Sequence, residues 1–355
     1  MAQSGWHVGA VKARQAMDKL APLLGPQADW RGVAIAHVDT GYTNHVVFNL
    51  GGAHPALQTQ LGENFMDAGA ALPLDPLNYG GEFLAFPGHG TRTSGVLCGN
   101  LPGVYVGLAP TVPVIPYRVT NSVVLRGRTI RNVGAAITDA VDRNLADVIS
   151  ISLGVQSVIG NLAEMRALGR AVDHAYERGV IVVGAGGQTG DAPQLVGFNT
   201  YPGRYSRAIS AGGMNADFKI CFDYEVGRDW IDVWAPADDI TRPNSVLGTG
   251  DPFSDVKDKA DGTSYATVHV AAAAAMWLRL RGDELAGGGY DGWRRVEAFR
   301  ALLRSTAQKL KGNAVRANPP PPGTGVLDCL ALLEAPLPAL SKLKERTTPA
   351  EGEHD

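Results

Sequence analysis

The sequence predicts an α/β domain of three layers: a mostly parallel central sheet with helices on both faces. Three observations carry that prediction. Short β-branched runs alternate with segments of helical periodicity along most of the 355 residues. Strand–helix–strand repeats of this length close into a parallel sheet covered on both sides. The composition, 45% hydrophobic and only 19% charged, lies below the usual charged share of about 25% and supports a substantial core.

The elements follow in order. "GVAIAHVD" (32–39) has a buried-strand pattern. "TVPVIPYRV" (111–119) is a second strand, biased toward a sheet edge by Pro113 and Pro116, which cannot donate to a ladder. Residues 129–144 place apolar side chains at 130, 133, 137 and 141, one helical face. "ADVISISLG" (146–154) is a strand, and 161–179 a helix stopped by Gly179. "VIVVGAG" (180–186), "RAISAGGM" (207–214) and "IDVWAPA" (231–237) are further strands. Two helices are expected at 264–281, rich in Ala, and at 292–310. There is no internal repeat. "NPPPPG" (318–323) interrupts the chain before "GTGVLDCLALLEA" returns to the body. Residues 1–335 are therefore expected to form one domain. The end, 336–355, is charged and is expected to be a disordered tail.

Charge and length exclude several function classes. The net charge of −3, without a basic block, leaves no nucleic-acid footprint and no electrostatic attraction to membranes. The longest apolar run, "VAAAAAMWL" (270–278), is short of the ~20 residues that span a bilayer. No signal-peptide run opens the chain. As written it is expected to be cytoplasmic, or secreted if it is a processed mature form. Cys98, Cys221 and Cys329 are expected to be buried free thiols rather than a disulfide framework.

In a sheet of this kind, ligands bind where strands end. Asp39 follows the first strand, in "HVDTGYTNH"; His89 lies in "PGHGTRTSGVLCG"; Ser264 opens the Ala-rich helix, in "DGTSYATVHV". A serine hydroxyl needs a base to take its proton and a carboxylate to orient that base. A serine at a helix N-terminus also meets free N–H groups and the positive end of the dipole. Each motif alone is weak, since "GTS" before a helix is ordinarily a cap. The glycine cluster of "VIVVGAGGQTG" is not a nucleotide loop. G-x-G-x-x-G from Gly184 would need glycine at position 189, which is Thr189.

The order Asp, His, Ser, in these contexts, resembles the subtilisin-like serine proteases. "VAIAHVDTGYTNHVVF", "GHGTRTSGVLCG" with "VGLAP", "VISISLG", "IDVWAPA" and "GTSYATVHVAAAAAMWL" resemble that family's ordered motifs, over roughly residues 5–335. The resemblance implies a subtilisin-like fold and peptide-bond hydrolysis through an acyl-enzyme, with a polypeptide as substrate. It makes Ser264 the nucleophile, His89 the general base and then acid, and Asp39 the orienting carboxylate. Ser152, Leu153 and Gly154 would present backbone groups to an extended peptide. Gly184, Ala185 and Gly186 would edge the P1 pocket, with Thr200 at its floor. His269 and His37 would be structural, and His45 solvated.

The chain departs from the family pattern in several places. The family's oxyanion Asn is expected directly after Ala185–Gly186, where Gly187 stands; Gln188 comes one residue later. A lost oxyanion donor costs roughly 10²–10³ in kcat. Three readings follow: Gln188 reaches the site through a bulge at Gly187, the Ser264 N–H and another donor suffice, or the protein is a peptide-binding or regulatory relative. Val268 replaces the family's Pro in the first helical turn, at little cost. The loops 99–107 and 43–49 offer few side-chain oxygens, and hard cations want six to eight. The family's main calcium site is therefore expected to be absent, with weaker sites elsewhere left open and no cofactor required. Residues 62–88 form a long loop placed to gate the site.

Overall fold

The central sheet of the computed structural model has eight strands. Along it run Gly312–Asn313, Lys219–Ile220, Ile209–Met214, Ile181–Ala185, Val148–Ile151, Ile35–Asp39 and Val114–Arg118, with Val233–Pro236 also paired to Ile209–Met214. The residues described are 5–52, 55–82, 84–156, 162–188, 200–221, 230–313 and 325–347. Every pairing among the long strands is parallel. One antiparallel contact, Ile220 against Met214, joins the short strand Lys219–Ile220. Val114–Arg118 is an edge strand, as its prolines predict.

Among the described residues, eight helices complete the layers: α1 (Trp6–Ala10), α2 (Ala13–Leu24), α3 (His89–Cys98), α4 (Arg128–Asp142), α5 (Leu162–Glu177), α6 (Thr263–Gly287), α7 (Trp293–Ser305) and α8 (Cys329–Glu334). Side chains alternate across a strand, and the alternation sorts the core into two. Ala36, Val38, Ile115, Tyr117, Ile149, Ile151 and Val182 pack under α4 and α5. Ile35, Val114, Val148, Ile181, Val183 and Ile209 pack under α2, α3, α6, α7 and α8. Asp39 shares the parity of Ile35, so it faces the layer that carries α3 and α6.

Helix α6 is buried along most of its length, as a helix apolar all round must be. It runs past the expected residue 281 to Gly287, and Arg281 pairs with Glu284 in that extension. Val268 is its sixth residue, in the second turn rather than the first, and is fully buried. Helix α7 stops at Ser305 rather than 310. Gln308 leaves the helix to exchange backbone hydrogen bonds with Val326, at 2.7 and 2.8 Å. The three cysteines form no disulfide with one another; Cys98 and Cys329 are buried and Cys221 half-buried.

The first part of the segment between Asp39 and His89 covers the sheet edge, with Gln58 N–H on Val114 O (2.7 Å), Arg118 N–H on Glu63 O (3.0 Å) and Phe65 N–H on Arg118 O (2.8 Å). The expectation about the end of the chain fails: it is not a free tail through residue 347. It crosses α5 and α7 as a strap: Tyr290 Oη donates to Pro338 O (2.7 Å), Arg346 N–H to Tyr176 Oη (3.0 Å), and Arg346 Nε to Glu297 Oε2 (3.3 Å). Charged side chains that composition reads as solvated here find partners on the body. Residues 348–355 lie outside the described ones.

Candidate active site

Asp39 is the last residue of its strand, His89 the first of α3, and Ser264 the second of α6. The fold brings the three into one hydrogen-bonded chain. His89 Nδ1 lies 2.7 Å from Asp39 Oδ1, and His89 Nε2 lies 3.0 Å from Ser264 Oγ. A carboxylate only accepts, so the Nδ1 proton belongs on the Asp39 side and the Nε2 lone pair faces the hydroxyl. Asp39 Oδ1 also accepts the Thr40 N–H at 2.7 Å. Burial alone would raise the Asp39 pKa, but His89, His37 and the Thr40 N–H together outweigh it and hold the carboxyl below the usual range. Asp39 is therefore an anion in a fully buried position.

The remaining histidines take other places. His37 lies on the Asp39 face, its Nε2 2.9 Å from Thr93 Oγ1 and 3.7 Å from Asp39 Oδ2. Burial pushes its pKa down, so it stays neutral beside the carboxylate. His269 bonds Tyr265 O through Nδ1 (2.6 Å) and His7 Nδ1 through Nε2 (3.0 Å), away from the chain of three. His45 is not solvated. It is buried, with Nε2 3.1 Å from Asp255 O, while Nδ1 accepts the Val47 N–H; residues 251–255 cover it.

The start of α6 is held by the glycine strand. Gly187 N–H donates to Thr263 Oγ1 (3.2 Å), and Gln188 Oε1 accepts the Thr263 N–H (2.7 Å). Gly187 has φ +93°, a conformation open to glycine, and that bend turns Gln188 toward the helix. Gly262 leaves room for the amide: a Cβ there would sit 3.2 Å from Gln188 Oε1. The Thr263 N–H can only donate, which fixes the orientation of the Gln188 amide with Oε1 at the helix and Nε2 as its donor atom. The Ser264 N–H has no acceptor among the described residues.

The expected peptide edge is partly occupied. Gly154 N–H donates to Val123 O (3.0 Å), and its carbonyl accepts from Leu125 N–H (2.8 Å). Gly154 therefore does not offer a free edge; the 123–125 segment pairs with it instead. Ser152 and Ser264 exchange bonds, with Ser152 Oγ on Ser264 O (2.9 Å) and Ser264 Oγ within 3.0 Å of Ser152 O. Leu153 is buried. Thr200 lies against Gly154, its methyl 2.4 Å from where a Cβ would be. Gly184 and Ala185 end their strand and Gly186 follows, its N–H bonded to Ala211 O at 2.8 Å.

A family model described as the subtilase family matches residues 31–318. The chain belongs to the subtilase family. It is a serine-type endopeptidase. An intracellular serine protease of Paenibacillus polymyxa is 31% identical over 271 residues, 73% of this chain and 71% of the relative. Thermitase of Thermoactinomyces vulgaris is 30% identical over 298 residues, 82% of this chain and 87% of the relative. Among solved structures, MycP1 without its N-terminal propeptide superposes with a TM-score of 0.66 at 22% identity, over 95% of this chain and 100% of that one. A protease of Pseudoalteromonas arctica gives a TM-score of 0.63 at 22% identity, over 85% of this chain and 89% of that one. At such identity the superpositions speak to the fold.

As a subtilase, the chain shows two features that sequence reading passed over. Thr263 reads as a plain helix-start residue, yet its hydroxyl and N–H receive Gly187 and Gln188 in turn. Ser152 was expected to act through its backbone, yet its hydroxyl ties the Ser264 carbonyl. Neither contact has a local sequence signal. Among the described residues no group of three or more His, Cys, Asp or Glu side chains converges on a metal position, and no helix is long and apolar enough to cross a membrane.

Proposed function

We propose that the chain hydrolyses peptide bonds with Ser264 as nucleophile, His89 as general base and then acid, and Asp39 as the carboxylate that orients it. The observation that carries this reading is His89, bonded to Asp39 through one ring nitrogen and facing Ser264 Oγ with the other. Ser264 Oγ attacks the scissile carbonyl carbon while its proton passes to His89 Nε2. The imidazolium that forms is stabilised by ionised Asp39. His89 then returns the proton to the leaving amine, and water repeats the cycle on the acyl-enzyme. Side chains and backbone groups supply all of this chemistry, on a domain of residues 1–335 with the strap through 347 packed against it.

In the same reading the oxyanion is met by the Ser264 N–H and by Gln188 Nε2. Two facts support it: the Ser264 N–H is unclaimed, and the Gln188 oxygen is already engaged at Thr263. Of the three alternatives the sequence leaves, the geometry favours the bulge at Gly187. Gly184, Ala185, Gly186 and Thr200 line the P1 side. Ser152, whose hydroxyl and carbonyl are already engaged with Ser264, and Leu153 would meet the peptide through their remaining backbone groups, while Gly154 first has to release the 123–125 segment.

The test is labelling by a fluorophosphonate probe. Wild type is expected to label and Ser264→Ala not to, with kcat down about 10⁶-fold, the scale for removing a nucleophile of this kind. Equal labelling of the two proteins defeats the assignment.

A further inference from the structure

The loop between Asp39 and His89 carries a carboxylate that the mechanism above does not use. Asp75 is buried, and both its oxygens are doubly engaged. Oδ2 accepts the Thr40 hydroxyl at 2.7 Å and the Gly88 N–H at 2.8 Å. Oδ1 accepts the Leu77 N–H at 2.9 Å and the Tyr79 hydroxyl at 2.7 Å. Thr40 directly follows Asp39, and Gly88 directly precedes His89. One carboxylate oxygen therefore touches both chain neighbours of the proposed orienter and base.

The contacts continue inward. The Thr40 hydroxyl, held by Asp75, accepts the Gly90 N–H at 3.0 Å, in the first turn of α3. The Thr40 N–H donates to Asp39 Oδ1, the oxygen that His89 Nδ1 also meets. Gly88 caps α3 at φ +72°, with no capping side chain of its own. The helix start is thus held through Asp75 and Thr40, where an anion is also favoured by the dipole. The opposite oxygen is fixed in turn. The Tyr79 hydroxyl that donates to Asp75 accepts from Arg118 Nη1 (3.2 Å), and the same guanidinium nitrogen donates to Thr40 O (2.9 Å). Burial and the Asp75 charge both push the Tyr79 hydroxyl pKa up, which keeps it a donor.

We propose that Asp75 is a positioning residue for the subtilase reaction: through Thr40 and Gly88 it sets the distance and orientation between Asp39 and His89. The proposal rests on the roles given above to those two residues. Asp75 touches no substrate atom. It acts by holding both strand end and helix start on one anion, so that the imidazole is already aligned when the serine proton is taken.

Asp75→Asn keeps the shape but sets its NH2 against a backbone N–H, Gly88 or Leu77, in a donor-against-donor meeting and forces the hydroxyl on the same side, Thr40 or Tyr79, to reverse its bond. In the full chain its kcat on a chromogenic peptide is expected to fall about 10²-fold, the scale of a small misplacement of catalytic groups, with KM within about twofold. Thr40→Val removes the same link from the other side and should give a similar loss. The double variant should lose no more than the worse single one, since the two act in one chain. Asp67→Ala is the control. Asp67 anchors the same loop to Arg118 from an exposed position, and its loss should leave kcat within about twofold. A folded Asp75→Asn with kcat within about threefold of wild type, a loss confined to KM, or additive losses with Thr40→Val each overturn the proposal. If Asp75→Asn does not fold, Thr40→Val decides, and an unchanged kcat there overturns it. Ser264→Ala labelled as strongly as wild type would instead remove the roles on which the proposal rests, whatever Asp75 does.

Discussion

The helices that deliver His89 and Ser264 begin alike and are secured differently. Both follow a glycine with no capping side chain of its own, Gly88 before α3 and Gly262 before α6. The start of α3 is held by a buried anion, Asp75, and a buried hydroxyl, Thr40, with every contact inside the protein. The start of α6 is held by Gln188, a neutral amide that is exposed to solvent. In the proposed mechanism, the difference follows from what each end has to do. The base must keep one orientation while a charge forms on it, so its support is charged, dry and redundant. An oxyanion end must keep donors unclaimed and facing outward, so its support holds the amide by its oxygen alone and leaves its nitrogen free.

Three experiments break or sharpen that contrast. The largest effect is expected from Gln188→Glu. The carboxylate still caps Thr263 but offers no donor at neutral pH, and kcat should fall by about 10²–10³, or 2.7–4 kcal/mol, with KM little changed. A kcat within a few-fold of wild type would return the oxyanion role to backbone groups alone. Single-turnover kinetics separate the two outcomes.

The second effect is on stability against pH, and it asks whether α6 has a dry support of its own one turn further in. Burial pushes the pKa of His269 down to about 4, and that of His7, bonded to it, moves the same way. An unfolded histidine titrates near 6.5. Between those values the unfolded chain binds more protons than the folded one. The stability contribution is therefore complete above about pH 6.5 and is lost as pH falls toward about 4, by roughly 3 kcal/mol for one such group. Tm measured across that window should drop in wild type and drop less in His269→Gln. Parallel profiles would show that the pair is not buried in neutral form.

The smallest effect is expected far from both helix starts. Arg346→Ala removes the strap contact to Glu297, which keeps Arg300 and Tyr176 as partners. A loss of roughly 1 kcal/mol and a Tm lower by about 2 °C are expected, with kcat/KM unchanged. A change in kcat/KM would mean that support for the site reaches across α7.

The sequence makes the layers legible because strand parity and helical periodicity are local. Asp39, His89 and Ser264 stand out for the same reason, each in a short motif at the end of an element. What escapes it depends on contacts distant in sequence. The pairing of Gln308 with Val326 shortens α7, and Asp255, more than 200 residues away, makes His45 a buried group. The charged end of the chain reads as a tail because composition cannot know that Glu345 and Arg207 come within 3.2 Å. Position-by-position comparison likewise finds Gly187 where an amide is wanted. Only the backbone bend at that glycine brings the next residue to the helix.

Gly184 and Gly203 carry a last consequence, for how such a protease can change. A Cβ on Gly184 would lie 2.7 Å from the Gly203 backbone, and one on Gly203 would lie 2.4 Å from Ala185 O. The two main chains are in contact, so a side chain at either position would have to force them apart. In the proposed pocket, these two positions are therefore closed to narrowing the substrate range by a simple substitution, and Thr200, whose methyl lies against Gly154, is a more open route.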